Sequence, residues 1–478
     1  MRLSVDFQPF RYTVLGDEFA VPTSRYAFTQ STMLLWNDRV ANHYRWPLDL
    51  PSSLALFSGQ NQSSSGPSVS LAYCGHQFGH FNPSLGDGRA HLVAQLATVD
   101  GGVDVQTKGS GPSRFSRGGD GLSAMGPAIR EFIMSDAMWH LGVPTTHCLG
   151  VLDTHHEVYR QQREAGGLSV RIADSHIRIG SFQYVAMQHD IEKLNTLMEL
   201  AISRHYGDIK STGEARVIEF LVAVCQQQAR LILQWLRIGF VHGVMNTDNA
   251  LVSGQTIDYG PCAMMENYSL DTVFSSIDKQ GRYAFGQQAN IANWNCARLA
   301  ESLIPLFADE QVAVSKLSEA LSAFAVVFNE GYDQLWFDKL GLNNTKVEHQ
   351  TLVEEFKALL TKTKADYTNT FAALTMSLTK GTFTPYELPE LLSDWQAKWA
   401  RCVDKAYALP LMLQMNPALI PRNHLVEHAI STTKQGDKTF VTDWMVALST
   451  PYDYDNVPEQ YVQPAPDGGV GYRTFCGT

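Results

Sequence analysis

The amino-acid sequence predicts an α+β fold of two lobes around a cleft, the first rich in strands and the second helical. Three observations lead there. Residues 71–190 are glycine-rich and carry short runs in which apolar and polar residues alternate. From about residue 190 the apolar spacing changes to threes and fours, the period of an amphipathic helix. A polar loop, His242 to Asn249, follows the clearest of these helical runs.

Residues 1–60 mix short apolar pieces with Pro and Ser and read as an extension wrapped on a core. The first lobe spans 61–190 and opens with the loop NQSSSGPSVS. Within it, His91–Thr98 and Val103–Lys108 flank Asp100-Gly101-Gly102, a hairpin signal. Val103, Val105 and Thr107 alternate with Asp104, Gln106 and Lys108, as on a half-buried strand. Pro127 opens a helix whose stripe is Ile129, Ile133, Ala137 and Leu141, and Gly142 with Pro144 stop it. The helical lobe spans 191–450. Its clearest stripe runs from Ile218 through Leu221, Cys225, Ala229 and Ile232 to Leu236 and ends near Gly239. Residues 451–478 are rich in Pro, Gly, Asp and Tyr, lack periodicity and read as a loose tail or strap.

Composition narrows the function. A formal charge of −11 gives the surface no general attraction for phosphate backbones, so no nucleic-acid partner is expected. No signal layout precedes the first lobe and no apolar run approaches bilayer length, so no membrane role is expected. Seven scattered cysteines form no CxxC pair, which argues for reduced thiols in a cytoplasm rather than a zinc site. A monomer is the expected state.

The strongest chemical signal is His242-Gly243-Val244-Met245-Asn246-Thr247-Asp248-Asn249, followed by a short hairpin pattern and Asp258-Tyr259-Gly260. Protein kinases place a catalytic loop and a metal-binding Asp-Phe-Gly in this order. A hairpin between them would bring Asn249 and Asp258 side by side, two hard oxygen ligands for Mg²⁺ among nucleotide phosphates. One position departs from that pattern. Five residues before Asn249, where a kinase keeps its Asp base, stands Val244, which cannot accept a proton. Asp248 is the nearby carboxylate that could replace it.

Other residues suit a triphosphate. Gly86-Asp87-Gly88-Arg89 is a glycine turn before a strand, able to present backbone N–H groups to phosphate. Lys108 ends a strand and Glu131 sits early in the next helix, the kinase device for fixing a lysine on phosphates. Arg171 and Arg178 are each flanked by apolar residues, as if aimed into a cleft from a β segment, and guanidinium forks fit phosphate oxygens. His76, His80, His155 and His156 lack an acidic third ligand at helical spacing and read as packing or hydrogen-bonding residues.

These residues resemble the selenoprotein-O family of kinase-like protein adenylyltransferases, in its bacterial form, nearly end to end. The most specific matches include Gly75-His76-Gln77-Phe78-Gly79, Leu85 to Arg89, Ile129-Arg130-Glu131, His242 to Asn249, Asp258-Tyr259-Gly260-Pro261, Gln280-Gly281-Arg282-Tyr283 and Asn416-Pro417-Ala418. The resemblance implies a bilobal protein-kinase-like fold that binds ATP flipped, γ-phosphate inward. It implies transfer of AMP to Ser, Thr or Tyr hydroxyls of proteins, some bacterial members using UTP. By motif position, Lys108, held by Glu131, would contact phosphate, and Arg171 and Arg178 would grip the inner end of the triphosphate. Gly86, Gly88 and Arg89, with Asp120 and Gly121, would complete the nucleotide site. Asn249 and Asp258 would hold Mg²⁺ or Mn²⁺, and Asp248 would be the base. Leu122 and Gly126 stand where close relatives carry arginines. The near-terminal Cys476 matches a family position that in some bacterial relatives pairs with a cysteine after Asp-Tyr-Gly, where this chain offers Cys262.

Three functions are therefore carried forward: nucleotidyl transfer to protein hydroxyls, ordinary phosphotransfer with Asp248 as base, and a catalytically silent ATP-binding scaffold.

Overall fold

The computed structural model describes residues 7–98, 101–160, 162–343, 346–379, 386–466 and 468–475. The main sheet is built before residue 174, and the long helices follow it. The strands of this part are β1 (Ala20–Pro22), β2 (Thr32–Trp36), β3 (Val69–Leu71), β4 (Gly75–Gln77), β5 (His80–Asn82), β6 (Ala90–Leu96), β7 (Val103–Lys108), β8 (His147–Tyr159) and β9 (Arg163–Ala173). Seven of them form one sheet in the order β1-β3-β6-β7-β9-β8-β2, with antiparallel ladders throughout. β4 and β5 form a separate hairpin.

The expected β6–β7 hairpin pairs Ala90 with Lys108 and Leu96 with Val103. Its Asp100 lies outside the described residues, and Gly101 and Gly102 both take positive φ. β7 is not half-buried as its alternation predicts. It lies between β6 and β9, which pair with both of its edges, and the side chains of both its faces are buried from Val103 to Thr107. Val103 and Val105 pack with Val170 and Ile172 against Phe28, Val40, Leu56 and Phe57. The segment before residue 60 thus closes one face of the sheet, and it also supplies both edge strands.

The opposite face of β7 carries polar residues that are buried and satisfied. Asp104 accepts hydrogen bonds from Tyr12 (2.5 Å), Gln95 (2.9 Å), Arg204 (2.9 Å) and the His176 backbone N–H (3.1 Å). Burial opposes its charge, but Arg204 and these donors hold its carboxyl well below the usual range. One buried carboxylate therefore ties the N-terminal segment, the sheet and the Ile191–His205 helix together.

The helix that Pro127 helps to start runs Met125–His140 and packs on β8 and β9, with Pro127 in its first turn. The next long element, Gly213–Ile238, buries Leu221, Cys225, Ala229, Ile232 and Leu236 and ends at Gly239, whose φ of 76° makes a left-handed cap. The chain then enters β10 (Phe240–Val241), which pairs antiparallel with β11 (Ala263–Met264). That two-residue ladder closes the base of residues 242–262, the stretch that holds the polar loop and Asp258.

One expectation about apolar runs changes. The Glu310–Leu340 helix is long and apolar enough, by length and composition, to cross a membrane, its best window having a mean hydropathy of 1.3. Its Ala313, Leu317, Ala320 and Phe324 are buried, and it packs along the Gly213–Ile238 helix. The run escapes notice because charged residues such as Lys316 and Glu319 interrupt it.

The C-terminal segment is fastened rather than loose. The Thr474 backbone N–H donates to Phe274 O (2.9 Å), Ser276 N–H donates to Thr474 O (3.0 Å), and the Thr474 hydroxyl donates to Pro261 O (2.6 Å). Cys476 lies outside the described residues. Cys262 is buried, its Sγ donates to Tyr259 O (3.1 Å), and burial pushes its thiol up to about 12.

Asp104→Ala should destabilise the protein by about 3–5 kcal/mol, because Arg204 would stay buried without its counter-charge. Urea unfolding checks this. A loss below about 1 kcal/mol would show that the Asp104 network does not join these elements.

Candidate active site

A cleft of about 650 Å³ opens between the sheet, the Met125–His140 helix and residues 244–261, and every site residue singled out from the sequence lines it. Its deepest part is a cluster of buried charge. Asp258 accepts from Lys108 Nζ (2.5 Å), Arg171 Nη2 (2.7 Å) and Arg178 Nη1 (3.1 Å). Glu131 accepts from Lys108 Nζ (3.2 Å) and Arg171 Nε (2.7 Å). Arg171 Nη1 also donates to Gln106 (3.2 Å), so this guanidinium is held on three sides. Burial would raise the carboxyls of Asp258 and Glu131. The surrounding cations outweigh it and hold both below their ordinary values, so both are ionised at neutral pH.

The local folding explains how these groups meet. Lys108 and Arg171 lie on adjacent strands, β7 and β9, where Gln106 pairs with Arg171 and Lys108 with Ser169. Glu131 rises from the helix packed on that face. Asp258 has φ of 65°, a left-handed conformation that is uncommon outside glycine. Arg178 differs from its expected strand setting. It is the N-cap of the Ile179–Met187 helix, extended in backbone and bridged to Leu251. Ser181 fixes it through Arg178 N–H to Ser181 Oγ (3.1 Å) and Ser181 N–H to Arg178 O (2.9 Å).

The expected hairpin between Asn249 and Asp258 is replaced by an outward-paired turn. Gly254, with φ of 74°, closes it by donating to Leu251 O (3.0 Å). The two arms pair with other segments. Ile179 N–H donates to Ala250 O and Val252 N–H to Ile177 O on one side; Thr256 N–H donates to Pro144 O and Thr146 N–H to Thr256 O on the other. The backbone groups are satisfied by neighbours that sequence spacing could not reveal. His242 completes the frame. Its Nε2 donates to Ile257 O (2.8 Å) and its Nδ1 faces Val244 N–H (3.4 Å), and burial keeps it neutral.

Asp248 is chemically distinct from Asp258. Its backbone carbonyl accepts from Arg178 Nη1, while its side chain is buried with Oδ1 free of any hydrogen-bond partner among the described residues. Burial pushes this carboxyl up to about 6, against the opposing pull of Arg178 and a hydrogen bond from Gln77. A carboxyl near 6 with a free oxygen suits a general base at neutral pH. Asn249 turns its Nδ2 to Val244 O (3.0 Å), which leaves its carbonyl oxygen for another partner.

The glycines line the cleft, and close packing behind them leaves no room for a side chain. A Cβ on Gly86 would meet the Phe115 ring at 2.4 Å, and one on Gly88 would meet Phe115 O at 2.7 Å. The turn is glycine-rich because the Ser113–Ser116 stretch packs against it, with Ser113 Oγ donating to Asp87 O (2.7 Å). Gly121, with φ of 69°, approaches Gly111 so closely that a Cβ would lie 2.1 Å from its carbonyl carbon. Asp120 sits at the rim, gripped by both Nη atoms of Arg160 (2.9 and 3.0 Å), with Arg89 nearby. Three of the histidines singled out in the sequence take hydrogen-bond partners. His76 Nδ1 pairs with Gln183 (2.8 Å), His155 Nε2 with Thr32 (3.2 Å) and His156 Nδ1 with Thr154 O (2.9 Å).

Several residues of the cleft receive no site role from the sequence. Gln106 links Arg171 to Asp87 (3.1 Å), and its place two residues before Lys108 on the same strand face was the available signal. The Tyr73 ring lies 4.8 Å from the Arg178 guanidinium, and Gln77 reaches Asp248. For those two only the tertiary fold supplies the proximity.

Three cations thus surround one ionised carboxylate in the cleft, and a second carboxyl with a free oxygen stands beside them. The model of the protein adenylyltransferase SelO family matches residues 1–449. A "protein nucleotidyltransferase YdiU" of Pseudoalteromonas translucida (strain TAC 125) is 48% identical over 472 residues, covering 98% of this chain and 99% of the relative. Proteins of the same name from Bacillus anthracis and Bacillus cereus (strain G9842) are 44% and 45% identical, each covering 89% of this chain and 88% of the relative. The chain belongs to the SelO family and is an enzyme of the nucleotidyltransferase class.

The raised Asp248 carboxyl carries a stability prediction. Its folded value of about 6 exceeds the ordinary 3.8, so as pH rises the unfolded chain loses this proton first and the native state loses stability between those values. Asp248→Asn removes that cost. The variant should match wild type near pH 4 and exceed it at pH 8 by up to about 3 kcal/mol, read from thermal or urea unfolding. Equal stability at both pH values would show that the carboxylate is well solvated.

Proposed function

We propose that this chain transfers a nucleotidyl group, AMP from ATP or UMP from UTP, to Ser, Thr or Tyr hydroxyls of proteins. The carrying observation is where the charges stand: Lys108, Arg171 and Arg178 converge at the deep end of the cleft, while the base slot holds Val244 and the poised carboxylate is Asp248. The reading includes a kinase-like bilobal fold, its sheet-bearing lobe carrying Lys108, Glu131 and Arg171 and its helical lobe carrying Asp248, Asn249 and Asp258.

A kinase keeps a Lys–Glu pair for its phosphates but seats adenine at the inner end of its cleft, where the arginine pair Arg171 and Arg178 has no purpose. A flipped nucleotide puts its β- and γ-phosphates there. Arg178 and Lys108 would then turn from Asp258 to phosphate oxygens, Arg171 keeping Glu131 in place. The acceptor hydroxyl oxygen attacks the α-phosphorus, the bond from that phosphorus to the bridging oxygen breaks, and pyrophosphate leaves with the electron pair. The hydroxyl proton passes to Asp248. Cations fixed before the reaction stabilise the departing charge without reorganisation. Asn249, through its free carbonyl oxygen, and Asp258 would hold Mg²⁺ or Mn²⁺, which neutralises phosphate charge when bound.

The donor label tests the reaction. Incubated with ATP and Mg²⁺ or Mn²⁺, the protein should incorporate label from the α-phosphate and none from the γ-phosphate. The reverse result would establish phosphotransfer, and no incorporation into any protein would establish a silent scaffold. Asp248→Asn should lower kcat by about 10²-fold or more. In the wild type, log kcat/KM should rise with pH through an apparent value of about 6, as the base loses its proton. A rate independent of pH between 5 and 8, with Asp248→Asn still active, would remove Asp248 from this role.

Orientation has its own test. Arg178→Lys keeps the charge but not the fork, and should weaken ATP binding about tenfold while leaving adenosine binding unchanged in calorimetry. Equal losses for both ligands would place Arg178 beside the base and overturn the flipped arrangement.

A further inference from the structure

Two motifs singled out in the sequence receive no role at the nucleotide there: Gly75-His76-Gln77-Phe78-Gly79 and Gln280-Gly281-Arg282-Tyr283. The structure places them against each other, on the side of the cleft next to Asp248. β4 and β5 turn tightly through Phe78 (φ 52°) and Gly79 (φ 84°), both left-handed as a two-residue hairpin turn demands. The hairpin is pinned to the polar loop. His76 N–H donates to Thr247 Oγ1 (2.8 Å), and Phe78 N–H donates to Asn246 Oδ1 (3.2 Å) and to the Tyr283 hydroxyl (3.1 Å). A Cβ on Gly75 would stand 2.5 Å from Asp248 Oδ1, so the hairpin begins in contact with the proposed base.

Positive charge and aromatic surface gather at this hairpin. The Arg282 and Arg298 guanidiniums each lie 4.9 Å from the centre of the Trp294 ring. The His76 ring meets Trp294 at 5.2 Å and Phe81 at 5.0 Å, and Phe81 is exposed. A Cβ on Gly79 would touch the Arg282 guanidinium at 3.6 Å, so the arginine lies along the hairpin turn. Burial and then the nearby Arg298 and Arg282 push the His76 imidazole down, which keeps it neutral between them.

The arginines are only partly used. Asp278 spends its carboxylate on the Arg282 and Tyr283 backbone N–H groups (3.0 and 2.8 Å). The Arg282 side chain meets the Tyr283 hydroxyl rather than a carboxylate, and its Nε is buried without a hydrogen-bond partner. Arg298 pairs with the half-exposed Glu301 through Nη2 (2.6 Å), and its Nε is likewise unpartnered. Glu301 is thus the one carboxylate paired with either arginine side chain among the described residues.

We propose that Arg282, Arg298 and Trp294 form a subsite for an acidic side chain, Asp or Glu, that lies near the acceptor hydroxyl in the protein substrate. The inference rests on the protein-hydroxyl reading above and names part of the substrate it takes. Charge complementarity argues for a carboxylate. The two guanidiniums supply forked donors, and the Trp294 face keeps them extended toward the partner. The hairpin couples that subsite rigidly to Asp248, so a bound acidic residue would set the register of the neighbouring hydroxyl.

The test uses the full-length protein and three fluorescent peptides, alike except that a central tyrosine is flanked by Glu, Gln or Lys. Anisotropy should show the Glu peptide binding about tenfold more tightly than the Gln peptide and the Lys peptide weakest, with the preference shrinking at high salt. Arg282→Gln and Arg298→Gln should each remove most of the preference. Calorimetric ATP affinity should stay at the wild-type value in both, which also shows that the variants fold. Equal binding of the three peptides, or a preference that survives both substitutions, would overturn the proposal. Binding is read without turnover, so the two readings separate. A Glu preference that depends on Arg282 in a protein that transfers no AMP would retire the transfer reading and keep the subsite. Transfer without charge preference would do the opposite.

Discussion

Asp258 and Glu131 are two carboxylates taken out of water, and Lys108, Arg171 and Arg178 are the cations that make this tolerable. An isolated buried charge costs several kcal/mol, so neither side of the cluster can stand alone. Each member comes from a different element: β7, β9, the Met125–His140 helix, the N-cap of the Ile179–Met187 helix and the turn after the polar loop. The cluster therefore acts as the junction of the whole chain, and its assembly requires those elements to be placed to within a hydrogen-bond length. The left-handed Asp258 is the local strain accepted to aim one carboxylate at three donors.

The same junction separates two carboxylates by environment. Asp258, surrounded by cations, stays ionised. Asp248 sits ten residues earlier, with one oxygen buried and unpartnered, and its proton becomes available near neutrality. Environment, not residue type, sets the two carboxyls apart. The β4–β5 hairpin and Tyr283 stiffen the loop that carries Asp248, and the Thr474 strap braces Pro261 just beyond Asp258. Both flanks of the reacting region are thus held by segments far away in sequence.

Much of the site is legible in the amino-acid sequence. Lys108, Glu131, Arg171, Arg178, Asp248, Asn249 and Asp258 all stand out there, and all line one cleft. They stand out because each belongs to a short pattern whose chemistry depends on residue type and spacing. The expectations that failed depended on what surrounds a segment. β7 alternates like a surface strand, yet Asp104 and Gln106 are buried because Tyr12, Gln95, Arg204 and Arg171 come to meet them. The arms around Gly254 look like a hairpin, yet they pair with residues 144–146 and 177–179. The close packing of Phe115 against Gly86 and Gly88 is likewise invisible in the sequence.

By itself the sequence determined the periodicities, the helix stops at Gly142 and Gly239, and that Val244 offers no proton acceptor while Asp248 brings a carboxylate close by in the chain. Those follow from local stereochemistry and from which atoms a side chain carries. Only the tertiary structure decided which carboxylate is saturated with cations, which keeps a free oxygen, and that Arg282 and Arg298 share one tryptophan beside the cleft. These properties depend on through-space distance and burial between segments 150 residues apart, as Lys108 and Asp258 are, or further. Short-range patterns contain no information of that kind, because desolvation and Coulomb terms are set by the packed neighbours rather than by the chain.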